Sequence, residues 1–116
     1  MISIFFEDSF DSAHWLPYVP VDHKCRQIHG HTYKIRIEVT GDLDPHLGWI
    51  IDYSDLKARW LKVKNIIDHR TLNSIGGLSN PTCEILAGWI AQQLDLDCLS
   101  MIELRETAAC GVVYLP

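Results

Sequence analysis

His29-Gly-His-Thr-Tyr-Lys-Ile-Arg-Ile-Glu-Val-Thr40 is the stretch on which the fold of this chain turns. Tyr33, Ile35, Ile37 and Val39 share one parity, and Lys34, Arg36, Glu38 and Thr40 share the other. Successive side chains of a strand point to opposite faces, so this alternation predicts a half-buried β-strand. His29 and His31 carry the parity of the apolar set, which places both imidazoles on the inward face.

Upstream, Ile2 to His14 reads as a second strand. Ile2, Ile4, Phe6 and Phe10 fall on one side and Ser3, Ser9 and Asp11 on the other, with Phe5 breaking the pattern. His14 ends that strand with its apolar parity, so a hairpin of the two strands would bring a third imidazole to the first two. Between them, residues 15–28 contain Pro17, Pro20, Asp22 and Lys24 without a sustained period and predict a long surface loop.

Downstream, Gly41, Asp42 and Asp44-Pro45 end the strand, and Asp52 or Ser54 caps a helix bearing Leu56, Trp60, Val63 and Ile67 on one face. Gly76, Gly77 and Asn80-Pro81 punctuate the next connection. Pro81 is then expected in the first turn of a helix whose buried stripe is Ile85, Leu86, Trp89 and Ile90. Met101 to Thr107 and Gly111 to Leu115 read as two short strands. The order strand, strand, helix, helix, strand, strand predicts an α+β domain over residues 1–116, with one antiparallel sheet and helices on one face.

Composition bounds the function. The 116 residues are 47% hydrophobic, 22% charged and 9% aromatic, which suits one soluble domain with a sizeable core. A net charge of -5 argues against a nucleic-acid surface. No apolar run reaches spanning length and no leader is visible, so the expectation is a cytoplasmic protein without membrane contact. Cys25, Cys83, Cys98 and Cys110 form no CxxC pair. Free thiols are therefore expected, the last three in structural roles.

The chemistry is concentrated at a few positions. Three neutral imidazoles from His14, His29 and His31 suit zinc with an open fourth position, although core histidines satisfied by hydrogen bonds fit the same spacing. Cys25, between Lys24 and Arg26, reads as a reactive thiolate and base, as an inert thiol, or as a fourth zinc ligand of a structural module. Asp68-His69 is either an acid/base pair or a solvated helix end. Glu106 shares parity with Ile102 and Leu104 and so needs a cation or a ligand with donors, unless the strand end is wet.

Cys25-Arg-Gln-Ile-His29-Gly-His31 matches the CxxxHGH signature of the 6-pyruvoyltetrahydropterin synthase superfamily, which includes the bacterial 6-carboxytetrahydropterin synthases. Ser12-Ala-His14, Gly48-Trp-Ile-Ile-Asp52-Tyr-Ser-Asp-Leu-Lys57, Leu-Asp68-His69, Leu72-Asn73, Asn80-Pro-Thr82-Cys-Glu84 and Glu106-Thr107 resemble further motifs in the family order. The resemblance implies the tunnelling fold, a four-stranded antiparallel sheet with two helices. Three subunits close a barrel, commonly doubled to a hexamer, with active sites between subunits. It also implies zinc on His14, His29 and His31, Cys25 as base, and Asp68 and His69 as a proton relay. Glu106 would anchor the pterin ring and join the relay, and Thr82 would touch substrate.

The implied reaction is that of a carbon-carbon lyase. It converts 7,8-dihydroneopterin triphosphate to 6-carboxy-5,6,7,8-tetrahydropterin, with release of acetaldehyde and triphosphate, toward queuosine and other deazapurines. The pyruvoyl branch, which loses only triphosphate, stands as the alternative within the family. A non-catalytic zinc module and, last, a zinc hydrolase stand outside it. Two departures bear on substrate fit: Trp15 occupies a position where relatives often hold Arg, and the tail from Ala108 to Val113 is less polar than usual.

Overall fold

A computed structural model describes residues 1–116. Strand β1 (Ile2–His14) pairs antiparallel with β2 (His29–Gly41). Helix α1 (Tyr53–Ile67), strand β3 (Arg70–Thr71), helix α2 (Cys83–Leu94), and strands β4 (Leu99–Arg105) and β5 (Gly111–Tyr114) follow. The sheet order is β3-β1-β2-β4-β5, mixed because β3 runs parallel to β1 through Ser12↔Arg70 and Ala13↔Thr71. The expected four-stranded antiparallel sheet is thus corrected to five strands. Two residues carry no readable period, and β3 exists only because the segment leaving α1 docks against the end of β1.

Parity decides which faces meet. Phe10 on β1, Tyr33, Ile35, Ile37 and Val39 on β2, and Ile102 and Leu104 on β4 all point inward and join the buried side chains of both helices in one core. Phe10 and Tyr33 are register partners whose rings stack at 5.0 Å, with Trp60 tilted against Phe10 at 5.7 Å. Such pairs add about 0.5–1.5 kcal/mol each beyond burial. Asp8 has the inward parity too, and it is accommodated because Trp60 Nε1 and Lys64 Nζ donate to its Oδ2 at 2.8 and 3.1 Å.

Asp52, not Ser54, caps α1, accepting from the Ser54 N–H at 2.9 Å. Its buried face is Leu56, Trp60, Val63 and Ile67, as the spacing predicts. Helix α2 differs from expectation in two respects. Thr82 is its cap, accepting from the Ile85 N–H, so Pro81 lies just before the helix. Its buried arc is Cys83, Leu86, Ala87, Trp89, Ile90 and Leu94, while Ile85 is exposed. At about 100° per residue, position 85 points away from the arc shared by 83, 87, 90 and 94. No helix is long and apolar enough to cross a membrane.

Candidate metal centre and active-site clefts

The β1–β2 register makes His14 and His29 direct partners and sets Ser12 opposite His31. The ring nitrogens of the three histidines lie within 4.8 Å of one another, with His14 and His29 Nε2 3.1 Å apart. Two of the rings are braced from behind. His14 Nδ1 lies 2.8 Å from the Pro81 carbonyl and His29 Nδ1 lies 2.8 Å from the Gln27 carbonyl. A carbonyl only accepts, so both Nδ1 atoms donate, and both Nε2 atoms present lone pairs to the same space.

His31 Nε2 is buried there without a hydrogen-bond partner. Such an atom is disfavoured by about 1–3 kcal/mol unless something meets it. Burial pushes the imidazoles of His14 and His31 below the ordinary histidine value, with the neighbouring rings adding to the effect and Glu106 opposing it. Neutral imidazole is the ligating form. Three converging lone pairs, one of them orphaned, fit a divalent metal ion.

Glu106 continues the inward parity of β4 past its end, and its Oε1 lies 3.5 Å from His14 Nε2 and 3.6 Å from His31 Nε2. The inward carboxylate thus faces the same space as these two nitrogens, where a cation would meet all three groups. Beneath them Tyr33 is fully buried, its hydroxyl 3.4 Å from His14 Nδ1.

Cys25 sits in a short 3₁₀ turn, Lys24–Arg26. His23 caps that turn: its Nδ1 accepts from the Cys25 N–H at 3.0 Å. Cys25, Lys24, Glu106 and the three histidines line a cleft of ≈ 510 Å³. Cys25 is not among the donors clustered within 4.8 Å, so the closed four-ligand module loses its fourth ligand. Arg26 Nη1 donates to the Val19 carbonyl and braces the loop. Of the other cysteines, Cys83 is buried with its thiol pushed up to about 12, burial being the main cause, whereas Cys110 is exposed.

Asp68 caps the end of α1 and His69 follows with φ 57°, a left-handed backbone that, outside glycine, asparagine, aspartate and histidine adopt more readily than other residues. Asp68 Oδ1 accepts from the Asp11 N–H at 3.0 Å and lies 3.1 Å from His69 Nδ1. The Asp11 N–H holds the Asp68 carboxyl below its ordinary value despite some burial, and His69 adds to this. The His69 N–H donates to the Asp11 carbonyl at 2.6 Å. The imidazole is 76% exposed and lines a second, open cleft of ≈ 490 Å³ with Asp11, Thr32 and Arg70.

Within one chain, Cys25 and His69 therefore border different clefts, and His31 alone borders both. Thr82 borders neither, its hydroxyl oxygen serving as the cap of α2. Sequence reasoning missed Pro81, Gln27 and His23. An X-Pro before a helix and a histidine two positions before a cysteine were visible, but nothing local says what each one braces.

These features place the chain among proteins in which a histidine triad on a hairpin, suited to a metal ion, lies in one cleft with a thiol. It belongs to the 6-pyruvoyl tetrahydropterin synthase family, whose model matches residues 3–116. A 6-carboxy-5,6,7,8-tetrahydropterin synthase from Synechocystis is 37% identical over 96% of this chain and 91% of its own length. A dihydroneopterin monophosphate aldolase from Pyrococcus furiosus is 33% identical over 78% of this chain and 73% of its own. The solved 6-pyruvoyl tetrahydropterin synthase of Caenorhabditis elegans superposes with a TM-score of 0.91 at 24% identity, covering 99% of this chain and 95% of that one. This last likeness shows the shared fold.

Proposed function

We propose that this chain is a zinc-dependent 6-carboxy-5,6,7,8-tetrahydropterin synthase. It would act in the cytoplasm as a carbon-carbon lyase that converts 7,8-dihydroneopterin triphosphate to the 6-carboxy product, releasing acetaldehyde and triphosphate for deazapurine synthesis. The observation that carries the reading is the orphaned His31 Nε2 facing the His14 and His29 lone pairs in a cleft whose thiol does not belong to the cluster. The 37% identity to the Synechocystis synthase supports the carboxy branch.

His14, His29 and His31 would hold the zinc, which polarises substrate oxygens and so acidifies the neighbouring C–H and O–H bonds. Cys25, at the rim of the same cleft, accepts a proton as thiolate. His69 passes protons on, and Asp68 orients its ring. Glu106 receives the paired N–H donors of the pterin ring and joins the relay, while Thr82, whose hydroxyl caps α2, steadies the segment that carries Pro81.

Because Cys25 and His69 border different clefts in one chain, the reading includes assembly into a trimer or hexamer with active sites shared between subunits. Mass spectrometry of products from zinc-loaded protein and 7,8-dihydroneopterin triphosphate, with acetaldehyde trapped in parallel, tests it. A 6-carboxytetrahydropterin with acetaldehyde supports the reading. A pyruvoyl product moves the chain to the other branch.

One further reading rests on the 33% identity to the Pyrococcus aldolase. In that case dihydroneopterin monophosphate is cleaved and the triphosphate is left intact.

A further inference from the structure

The ladder between β1 and β2 ends at His14↔His29, so the next residue, Trp15, leaves the sheet with no strand opposite it. Asn73 takes the place of that strand. The Trp15 N–H donates to Asn73 Oδ1 at 3.0 Å, and Asn73 Nδ2 donates to the Trp15 carbonyl at 2.7 Å. A side-chain amide carries the same donor and acceptor as a peptide unit, so it satisfies both backbone groups of one residue.

The tie continues on both sides. The Leu16 N–H donates to the Cys25 carbonyl at 2.8 Å, and the Cys25 N–H donates to His23 Nδ1. An unbroken run of hydrogen bonds and backbone therefore leads from Asn73 to the turn that carries the thiol. On the other side, Asn73 lies in the 3₁₀ turn Leu72–Ser74, directly after β3, and that segment is pinned to β1 by Ser12 Oγ donating to the Ile67 carbonyl at 2.6 Å.

We propose that Asn73 is a positioning residue: it sets the Cys25 turn against the metal-binding histidines and in register with the Asp68–His69 segment. The inference rests on the role proposed for Cys25. A misplacement of about 1 Å in a reacting group lowers turnover on the order of 100-fold. The clamp reads the backbone of residue 15, so it works for the Trp present here as it would for Arg.

The test compares wild type with Asn73→Ala and Asn73→Asp, all zinc-loaded. Asn73→Asp keeps the acceptor for the Trp15 N–H and loses the donor, and it carries the test if the alanine variant does not fold. Asn73→Ala is expected to keep the wild-type zinc content and to lower kcat on the order of 10–100-fold with KM changed less than about threefold. Iodoacetamide labelling of Cys25, located by mass spectrometry, is expected to become at least about threefold faster, with Asn73→Asp between the two.

Folded, zinc-loaded variants with wild-type kcat and wild-type labelling at Cys25 overturn the proposal. The labelling does not depend on the substrate. If Cys25→Ala turns over normally, or if wild type is inert toward the pterin, the functional reading falls, and equal labelling rates still decide against the tie.

Discussion

His14 and His29 face each other as register partners at the end of the β1–β2 ladder, their Nε2 atoms 3.1 Å apart and both Nδ1 atoms engaged by carbonyls behind them. Neither ring can turn away without losing its brace. His29→Ala is therefore expected to abolish tight metal binding, from about one ion per chain to under about a tenth after dialysis, as read by elemental analysis. Retention of stoichiometric metal would remove the assignment. Stripping the wild type with a chelator should lower its Tm, since a ligand present at about 1,000 times its Kd stabilises by about 4 kcal/mol.

Cys25 lines the cleft of the three histidines but stands outside their donor cluster. Cys25→Ala should keep its metal while turnover falls on the order of 10²–10⁴-fold. Loss of metal from this variant would make the thiol a ligand after all. In the native protein, Cys110 should react rapidly with a thiol reagent and Cys83, buried beside the Leu104 carbonyl, only on unfolding.

Thr82 is expected to act on the metal site at one remove. It caps α2, and the residue just before it supplies the carbonyl that His14 Nδ1 meets. Thr82→Ala should lower stability by about 0.5–2 kcal/mol in urea titrations and weaken zinc about tenfold in chelator competition, and Thr82→Ser should restore both. Unchanged zinc affinity in the alanine variant would separate the cap from the site.

Asp8 provides a pH test. Burial pushes its carboxyl up, but hydrogen bonds from the Trp60 indole, the Ser9 N–H and Lys64, with the Lys64 charge, outweigh this and hold it below 3.8. A folded-state value depressed below the unfolded one gives stability that is present above the unfolded value and lost as pH falls through the folded one. Both partners are partly exposed, so the ion pair itself contributes about 0–1 kcal/mol. The stability difference between wild type and Asp8→Asn should be constant above about pH 5 and shrink below about pH 4. A difference that stays flat through that range would refute the ionic account.

Much of this site was legible because strand parity is a two-state code. Once Tyr33, Ile35 and Ile37 point inward, His29 and His31 must as well, and the same rule carries Glu106 onto the histidine side of β4. What stayed hidden depends on segments distant in sequence meeting. Neither β3 nor the Asn73 clamp has a local signature, since both arise where the end of α1 is laid against the end of β1. Ile85 was misplaced for a simpler reason: it is as apolar as its neighbours, and only the angle around the helix separates it from the buried arc.

The chain between the two facing ligands leaves the sheet after His14 and returns at His29. An ion shared by these side chains closes that loop at its neck, as a disulfide would, which by the chain-entropy argument stabilises by about 3 kcal/mol for a loop of this length. All four cysteines are free, so no covalent staple does this instead. Metal starvation should then act first as an opened latch: the 15–28 loop and its thiol come loose while the sheet behind them stays folded.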